Sequence, residues 1–324
     1  MWKSTDFAWG EFTLSRRGPP PQTGLMTERK LRDLIDAGYG QGSLQRYKPW
    51  LRVTKRDFST RGLMGHLPGI SFARLHHFRS IAEKRTIQAA KWLGAIDVRE
   101  AFPAWPWSHP HPAGELPGYE GMGDVPGLLD VARDAGIDHG TYVGTNIPYV
   151  ATVDELTTWL SPSGHYRLVA LENKPESITN APDPTLRAKE RLELIRRYCR
   201  QINVRHAVID AHRLPRELCV NLDLLEPRLT STQIGQVVQS ALYADVLELL
   251  NVRGYECSAD ELLTIIERKR SAQPEMVNVA FHLALWRQDV DHDLSAPLRP
   301  WEPLIRGGMQ VRSHLLEAWV GELA

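Results

Sequence analysis

The residues of this sequence with the most chemistry to offer end two successive strand-like runs. Asp154 closes PYVATVD and, after 17 intervening residues, Glu172-Asn173-Lys174 closes YRLVALENK. Alternation with a period of two puts Glu172 and Lys174 on one face and points Asn173 the other way. Carboxylate oxygens are the hard donors that Mg²⁺ takes. An ammonium beside them can orient a water or offset charge developing on a phosphate. The chemistry open to such a set is metal-assisted phosphodiester hydrolysis, and the plainer alternative is a solvated strand end. A third acid, Glu83, lies on a predicted helix ahead of these strands, from where it could face the same ion. It also completes Ser80-Ile81-Ala82-Glu83, a capping box. Local sequence leaves both roles open.

The elements that must position these residues follow from apolar spacing. A helix is predicted from Ser80 to Gly94, with Ile81, Ala82, Ile87, Ala90 and Leu93 as its apolar positions. Ile96 to Phe102 alternates like a strand, whereas Pro103 to Gly127 is dense in proline and glycine and reads as a long loop or insertion. Beyond the two acidic runs, a helix is expected over about Pro184 to Asn203. Asp183 caps it, Pro184 takes its first turn, and Ala188, Leu192, Ile195, Cys199 and Ile202 form its apolar face. HAVID, His206 to Asp210, is a further strand. Strand, strand, helix, strand is an α/β pattern around one sheet.

After Arg213 the pattern turns helical. One face from Ser231 to Asn251 is apolar, Ser258 and Glu261 open a second helix, and a third spans about Pro274 to Trp286. DHDLSAPLRPWEPL then reads as a short strand and an extended tail. The expectation is a sheet-containing domain over 1–213 and a smaller, mostly helical domain over 214–324, a winged helix or another small bundle. The first 70 residues are irregular, with Pro19 to Pro21 and the glycine-rich GYGQGS from Gly38 to Ser43.

With 324 residues, 42% hydrophobic and 24% charged, the chain fits neither a disordered nor a fibrous class. No apolar run is long enough to span a bilayer, and MWKSTDFAWG lacks a signal-peptide core. Cys199, Cys219 and Cys257 are scattered and odd in number, which fits a reducing cytoplasm. The 39 basic residues balance 39 acidic ones, which argues against holding DNA chiefly by surplus positive charge.

The acid–acid–lysine spacing is the layout of a PD-(D/E)xK nuclease. Longer ordered similarities go further: the GQG near Gly40, YKPWL from Tyr47, an acidic residue in the helix after LHH, and the DVREAFP strand. A TVD strand, an E-x-K-P strand and a basic helix ending in RRYC follow. In this order, over about residues 38 to 210, the chain resembles the TnsA endonuclease family of heteromeric transposases from Tn-seven-type elements. The helical C-terminal part resembles that family's second domain more faintly. The resemblance implies a restriction-endonuclease-like mixed sheet flanked by helices. It implies a Mg²⁺-dependent DNA endonuclease, with Mn²⁺ as an alternative ion, cleaving the 5′ ends of a transposon. The implied partners are DNA, the DDE-type transposase subunit TnsB, and the AAA+ regulator TnsC through the C-terminal domain; no membrane is implied.

Carried over by position, the family's helix glutamate falls on Glu83, its strand aspartate on Asp154 and its lysine on Lys174. Glu172 takes a site that is acidic in the general nuclease motif. The ion would be held by Glu83, Asp154 and Glu172 with the Asn173 carbonyl. Asn173 and Glu155 depart from the apolar residues usual at their positions.

Lys189, Arg196, Arg197 and Arg200, with Arg187 and Arg191, could contact the DNA backbone or form a solvated face laced by Glu190 and Glu193. Arg46, Lys48, Arg52, Lys55 and Arg56 make a second basic cluster, in which Tyr47 and Trp50 read as packing anchors. His76, His77, His109 and His111 lack a cysteine pair at zinc-ligand spacing, and GYGQGS lacks a phosphate-loop lysine. Two other functions fit the same residues: a non-catalytic adaptor between transposase and ATPase, and a stand-alone restriction-type nuclease.

Overall fold

The period-two runs around the acidic residues pair into a mixed four-stranded sheet in the computed structural model, which describes residues 1, 3, 26–54, 63–70, 74–183 and 187–322. Pro19 to Pro21, Lys55, Arg56 and Pro184 lie outside the described residues. The strands are β1 (Gly65–Pro68), β2 (Leu75–Phe78), β3 (Asp97–Ala104), β4 (His109–Pro110), β5 (Asp124–Val125), β6 (Ala151–Leu160), β7 (Tyr166–Asn173) and β8 (Arg205–Ile209). Eleven α-helices occur among the described residues. Six precede or follow the sheet closely: α1 (Glu28–Asp36), α2 (Ile81–Leu93), α3 (Leu128–Ala135), α4 (Glu176–Thr179), α5 (Arg187–Gln201) and α6 (Arg216–Leu225). The rest are α7 (Ser231–Val238), α8 (Ala241–Arg253), α9 (Ala259–Arg270), α10 (Pro274–Arg287) and α11 (Gly308–Val320).

The sheet order is β3-β6-β7-β8, antiparallel at the first two pairings and parallel at the last. β6 turns into β7 through residues 161–165, where Ser161 N donates to His165 O at 2.9 Å. Parallel β7 and β8 need a crossover, and α5 supplies it. β6 continues six residues past Asp154, so that residue does not end its strand as expected. The antiparallel hairpin instead brings the first half of β6 beside the end of β7, which is how the two acidic runs meet.

Two helices sandwich the sheet. α2 is capped by Ser80, whose Oγ accepts from Glu83 N at 3.1 Å, and ends at Gly94 with φ +107°. It buries Ile87, Ala90, Trp92 and Leu93 against Val98, Trp159, Val169 and Leu171 of one sheet face. On the other face α5 buries Leu194, Ile195, Tyr198 and Cys199, beside α3, against Leu156, Leu168 and Ala170. Burying each such large side chain contributes roughly 1.5–3 kcal/mol. Cys199 is a core residue of α5, and all three cysteines are free.

Residues 103–127 are largely irregular, as their prolines and glycines suggest, but they are partly buried. They form the β4–β5 pair and bury Trp105, Trp107 and Leu116. Tyr47 and Trp50 are packing anchors: Tyr47 Oη donates to Glu100 O at 2.9 Å, and Trp50 meets Trp105 edge to face at 5.1 Å.

The C-terminal helices differ from expectation in three ways. The 231–251 face is broken into α7 and α8 at Ser240, whose Oγ accepts from Tyr243 N at 3.1 Å and starts a new helix. α6 and α11 were not foreseen, although Leu218, Leu222 and Leu225 of α6 have helical spacing and are buried. Residues 291–304 form no strand. They are tied down by Asn221 Nδ2, which donates to Leu294 O and Ala296 O, both at 2.8 Å. No strand follows Ile209 among the described residues, so the wing of a winged helix has no counterpart there. α6 packs on α2, and α11 packs on α2 and β8, so one apolar cluster runs from Leu67 to Val320. No helix among the described residues is long and apolar enough to cross a membrane.

Candidate active site

β6 and β7 part company where the acids lie. Their ladder ends at Glu155–Leu171, while β7 stays paired with β8 as far as Asn173. The Asn173 N–H donates to Asp154 Oδ2 at 2.8 Å, so a side chain closes the splayed end of the hairpin. Across β6, the ladder with β3 skips Ala101, which has φ +47°, a left-handed conformation that costs a non-glycine residue on the order of 1 kcal/mol. Asp154 therefore sits at a local break in pairing on both sides.

Lys174 joins the two acids. Its Nζ donates to Asp154 Oδ2 at 3.0 Å, to Glu172 Oε2 at 2.8 Å and to the Asn173 carbonyl at 3.1 Å. Burial works against the ammonium, but the Glu172 and Asp154 carboxylates outweigh it and raise its pKa, so Lys174 stays charged. Burial, reinforced by the Asp154 charge, raises the Glu172 carboxyl. Glu172 Oε1 is buried with no hydrogen-bond partner. Two carboxyl groups thus share one ammonium, and one acceptor oxygen is left over.

Glu83 shares no hydrogen bond with this set among the described residues. Its Oε2 accepts from Arg79 N at 2.7 Å and its Oε1 from Ser80 Oγ at 3.2 Å, which is the capping role. Burial raises its carboxyl against the Arg79 N–H, and the Asp154 charge adds to the rise, so the two acids feel each other. Among the described residues, no group of three or more His, Cys, Asp or Glu is arranged to hold a metal ion.

The two departures from the family pattern answer each other. Asn173 Nδ2 donates to Glu155 Oε2 at 3.1 Å, and Asn173 Oδ1 accepts from Thr86 Oγ1 of α2 at 2.9 Å. Both side chains lie on the α2 side of the sheet, away from Glu172. Burial, then the charges of Asp154 and Glu83, raise the Glu155 carboxyl well above its ordinary value.

A cleft of about 180 Å³ holds Asp154, Glu172 and Lys174 between the sheet and α5. Arg191, His139 and Tyr149 line it too, with the Arg191 guanidinium 5.7 Å from the Tyr149 ring centre. His139 and Tyr149 were missed by the sequence reading, and Arg191 was read only as one of a basic face. Arg191 precedes the buried Leu194 and Ile195 by three and four residues, so helical spacing alone puts it on the sheet-facing stripe.

The other basic candidates on α5, Arg200 apart, are engaged. Lys189 Nζ donates to the Ala181 carbonyl. Glu193 pairs with Arg196 at 2.6 Å and with Arg197 at 2.7 Å, and Glu190 pairs with Arg187 at 2.9 Å. Arg200 is exposed. Of the histidines, His76 Nδ1 lies 3.0 Å from Glu100 Oε2, His77 Nδ1 accepts from Val53 N, and His109 bridges Trp107 O and Tyr198 Oη.

In comparisons with known proteins, neither a family model nor a curated sequence matches the chain. The reading of the site rests on its own chemistry. Asp154, Glu172 and the Asn173 carbonyl are all hard oxygen donors, and Glu172 Oε1 is a buried oxygen with no hydrogen-bond partner. The set fits a small divalent ion in kind.

Proposed function

We propose that this chain is a Mg²⁺-dependent DNA endonuclease of the restriction-endonuclease-like class. In this reading it is the TnsA-like subunit that cleaves the 5′ ends of a transposon beside a DDE-type transposase and an AAA+ regulator. One observation carries the reading: a lysine ammonium within 3.0 Å of carboxylate oxygens on two strands, in a cleft lined by a second cation, Arg191. Asp154, Glu172 and the Asn173 carbonyl would hold the ion, with Glu83 joining them by leaving its cap. A bound Mg²⁺ supplies Lewis acidity toward a phosphoryl oxygen and lowers the pKa of a water.

The chain's own residues do the positioning. Lys174, held charged by two carboxylates, orients the attacking water and offsets charge on the phosphate. Arg191 holds a non-bridging oxygen from the α5 side. Glu172 keeps Lys174 aimed into the cleft, and Asp154 pins the Asn173 backbone beside it. Most of the acceleration then comes from fixed charge and orientation.

In the assembled transposase, Lys174→Ala should cut the rate of 5′-end cleavage by at least ~10²-fold, the scale of losing one preorganised charge. EDTA should stop the wild type, and Mg²⁺ or Mn²⁺ should restore it. Full cleavage by Lys174→Ala would end the assignment. The adaptor reading draws on the Glu83 cap, which withholds one acid from the ion. It predicts partner assembly with no metal-dependent nicking at all, and Asp154→Ala is the control.

A further inference from the structure

Asn173 bonds through all four of its polar groups, and they reach in two directions. On the cleft side its N–H donates to Asp154 Oδ2 at 2.8 Å and its carbonyl accepts from Lys174 Nζ at 3.1 Å. On the α2 side its Nδ2 donates to Glu155 Oε2 at 3.1 Å and its Oδ1 accepts from Thr86 Oγ1 at 2.9 Å. Both anchors on the α2 side are themselves fixed. Thr86 and Glu155 are fully buried, and Thr86 Oγ1 also lies 3.0 Å from Ala82 O within its own helix. Val169 and Leu171, on the same sheet face, meet α2 by apolar packing alone. Packing therefore asks only for an apolar residue at 173, and a buried amide there is costly unless it is bonded.

The backbone alone leaves this residue half held. The β6–β7 ladder has ended at Leu171, so Asn173 is paired only with Ile209 of β8, and Lys174 N donates to Ile209 O at 2.9 Å. The side chain supplies the constraint that the missing rung would give. An amide gripped at its oxygen by α2 and at its nitrogen by β6 has one rotamer, and that fixes how the residue is turned about its own backbone. The direction of the 173 carbonyl, and with it the ammonium it accepts from, follows from that turn. Thr86 is also three residues after Glu83, on the same face of α2. The grip on Thr86 thus holds the turn carrying Glu83 against β6 and β7.

We propose that Asn173 is a positioning residue: its side chain, braced between Thr86 of α2 and Glu155 of β6, fixes the peptide that aims Lys174 into the cleft and whose carbonyl would hold the ion. The ion and the cleavage rest on the nuclease reading, whereas the bracing is read in the metal-free chain. Glu155→Leu/Asn173→Val replaces both halves of one bond by apolar groups, and Thr86 keeps its bond to Ala82 O, so this variant should melt close to the wild type. Glu155→Gln keeps an acceptor for Asn173 Nδ2 and is the conservative rescue. Thr86→Val, which cuts only the α2 leg, is a second variant that keeps the test open should the double variant not fold.

Hydrogen exchange at the residue-173 amide is measured on the full chain in EDTA and corrected for intrinsic rate. Its protection should fall about tenfold or more in the double variant, less in Thr86→Val and not at all in Glu155→Gln. Calorimetry with Mn²⁺ alone and 5′-end cleavage in the assembled transposase are the second arm. In the double variant Mn²⁺ affinity and kcat should fall about 10- to 100-fold, the scale on which outer-shell partners act, with KM for DNA unchanged. Unchanged protection in both bracing variants overturns the proposal. Lost protection with wild-type Mn²⁺ affinity and kcat also overturns it, since the bracing is then structural only. A loss in Glu155→Gln equal to that of the double variant overturns it too, because the acid's charge and not its bond is then at work. If protection falls in the double variant while the wild type binds no Mn²⁺ and never nicks, the bracing of Lys174 stands and the nuclease reading falls.

Discussion

Lys174 is the one ammonium among the described residues that hydrogen-bonds both Asp154 and Glu172, and that makes the site sensitive to single atoms. Glu83 is the residue whose two readings part most clearly. As a cap it holds the Arg79 N–H and Ser80 Oγ, and Glu83→Ala should cost about 1 kcal/mol of stability, the usual cost of a lost helix cap. Glu83→Gln keeps an acceptor for the cap and leaves stability close to wild type, but it removes a charge that senses Asp154. If Glu83 joins the ion in the working complex, Glu83→Gln should slow cleavage about tenfold or more. Denaturation midpoints and nicking rates together measure the split. Wild-type cleavage by Glu83→Gln would confine the residue to its cap. The sequence showed the cap role of Glu83 in the spacing of near neighbours, and the ion role entered through the family resemblance. It could not rank them, because the cap is a local bond and the ion site a distant one.

At the scale of elements, one buried acid of β3 gathers three groups in or beside β2. Glu100 of β3 accepts from Arg74 Nη1 at 2.9 Å and from His77 N at 3.0 Å, and it meets His76 Nδ1 at 3.0 Å. Burial alone would raise its carboxyl, but His76, Arg74 and the His77 N–H together lower it to about 2. A carboxyl depressed from 4.5 to about 2 stabilises the fold fully above pH 4.5 and loses that contribution as the pH falls toward 2. Urea denaturation at pH 6 and pH 3 should therefore show a smaller acid loss for Glu100→Gln than for wild type, and equal losses would refute the assignment. This element contact was not legible in the sequence. LHH and DVREAF each read as local strands, but nothing in their spacing pairs His76 with Glu100. The caps of α2 were legible, because Ser80 and Gly94 act within one helical turn.

At the scale of the molecule, the apolar cluster does not stop at Arg213. α2 lies against α6 and α11, and Trp319 and Val320 join the same cluster as Trp92, Trp159 and Leu171. A chain ended after Arg213 should expose the outer face of α2, melt well below the full chain and bind a hydrophobic dye. Unchanged melting would mean that the 1–213 part is self-sufficient. The zero net charge also takes on a clearer form at this scale. The acids 154 and 172 gather with Lys174 in one cleft, so a balanced total hides a local charged cluster. The sequence by itself determined that Glu172 and Lys174 share a face, that α2 and α5 are amphipathic, and where α2 begins and ends. Those follow from neighbours two to four residues apart. Only the tertiary structure decided that Asp154 reaches Lys174 and that Asn173 and Glu155 satisfy each other. Each of these depends on strand register and helix packing between residues far apart in the chain, which local spacing does not encode.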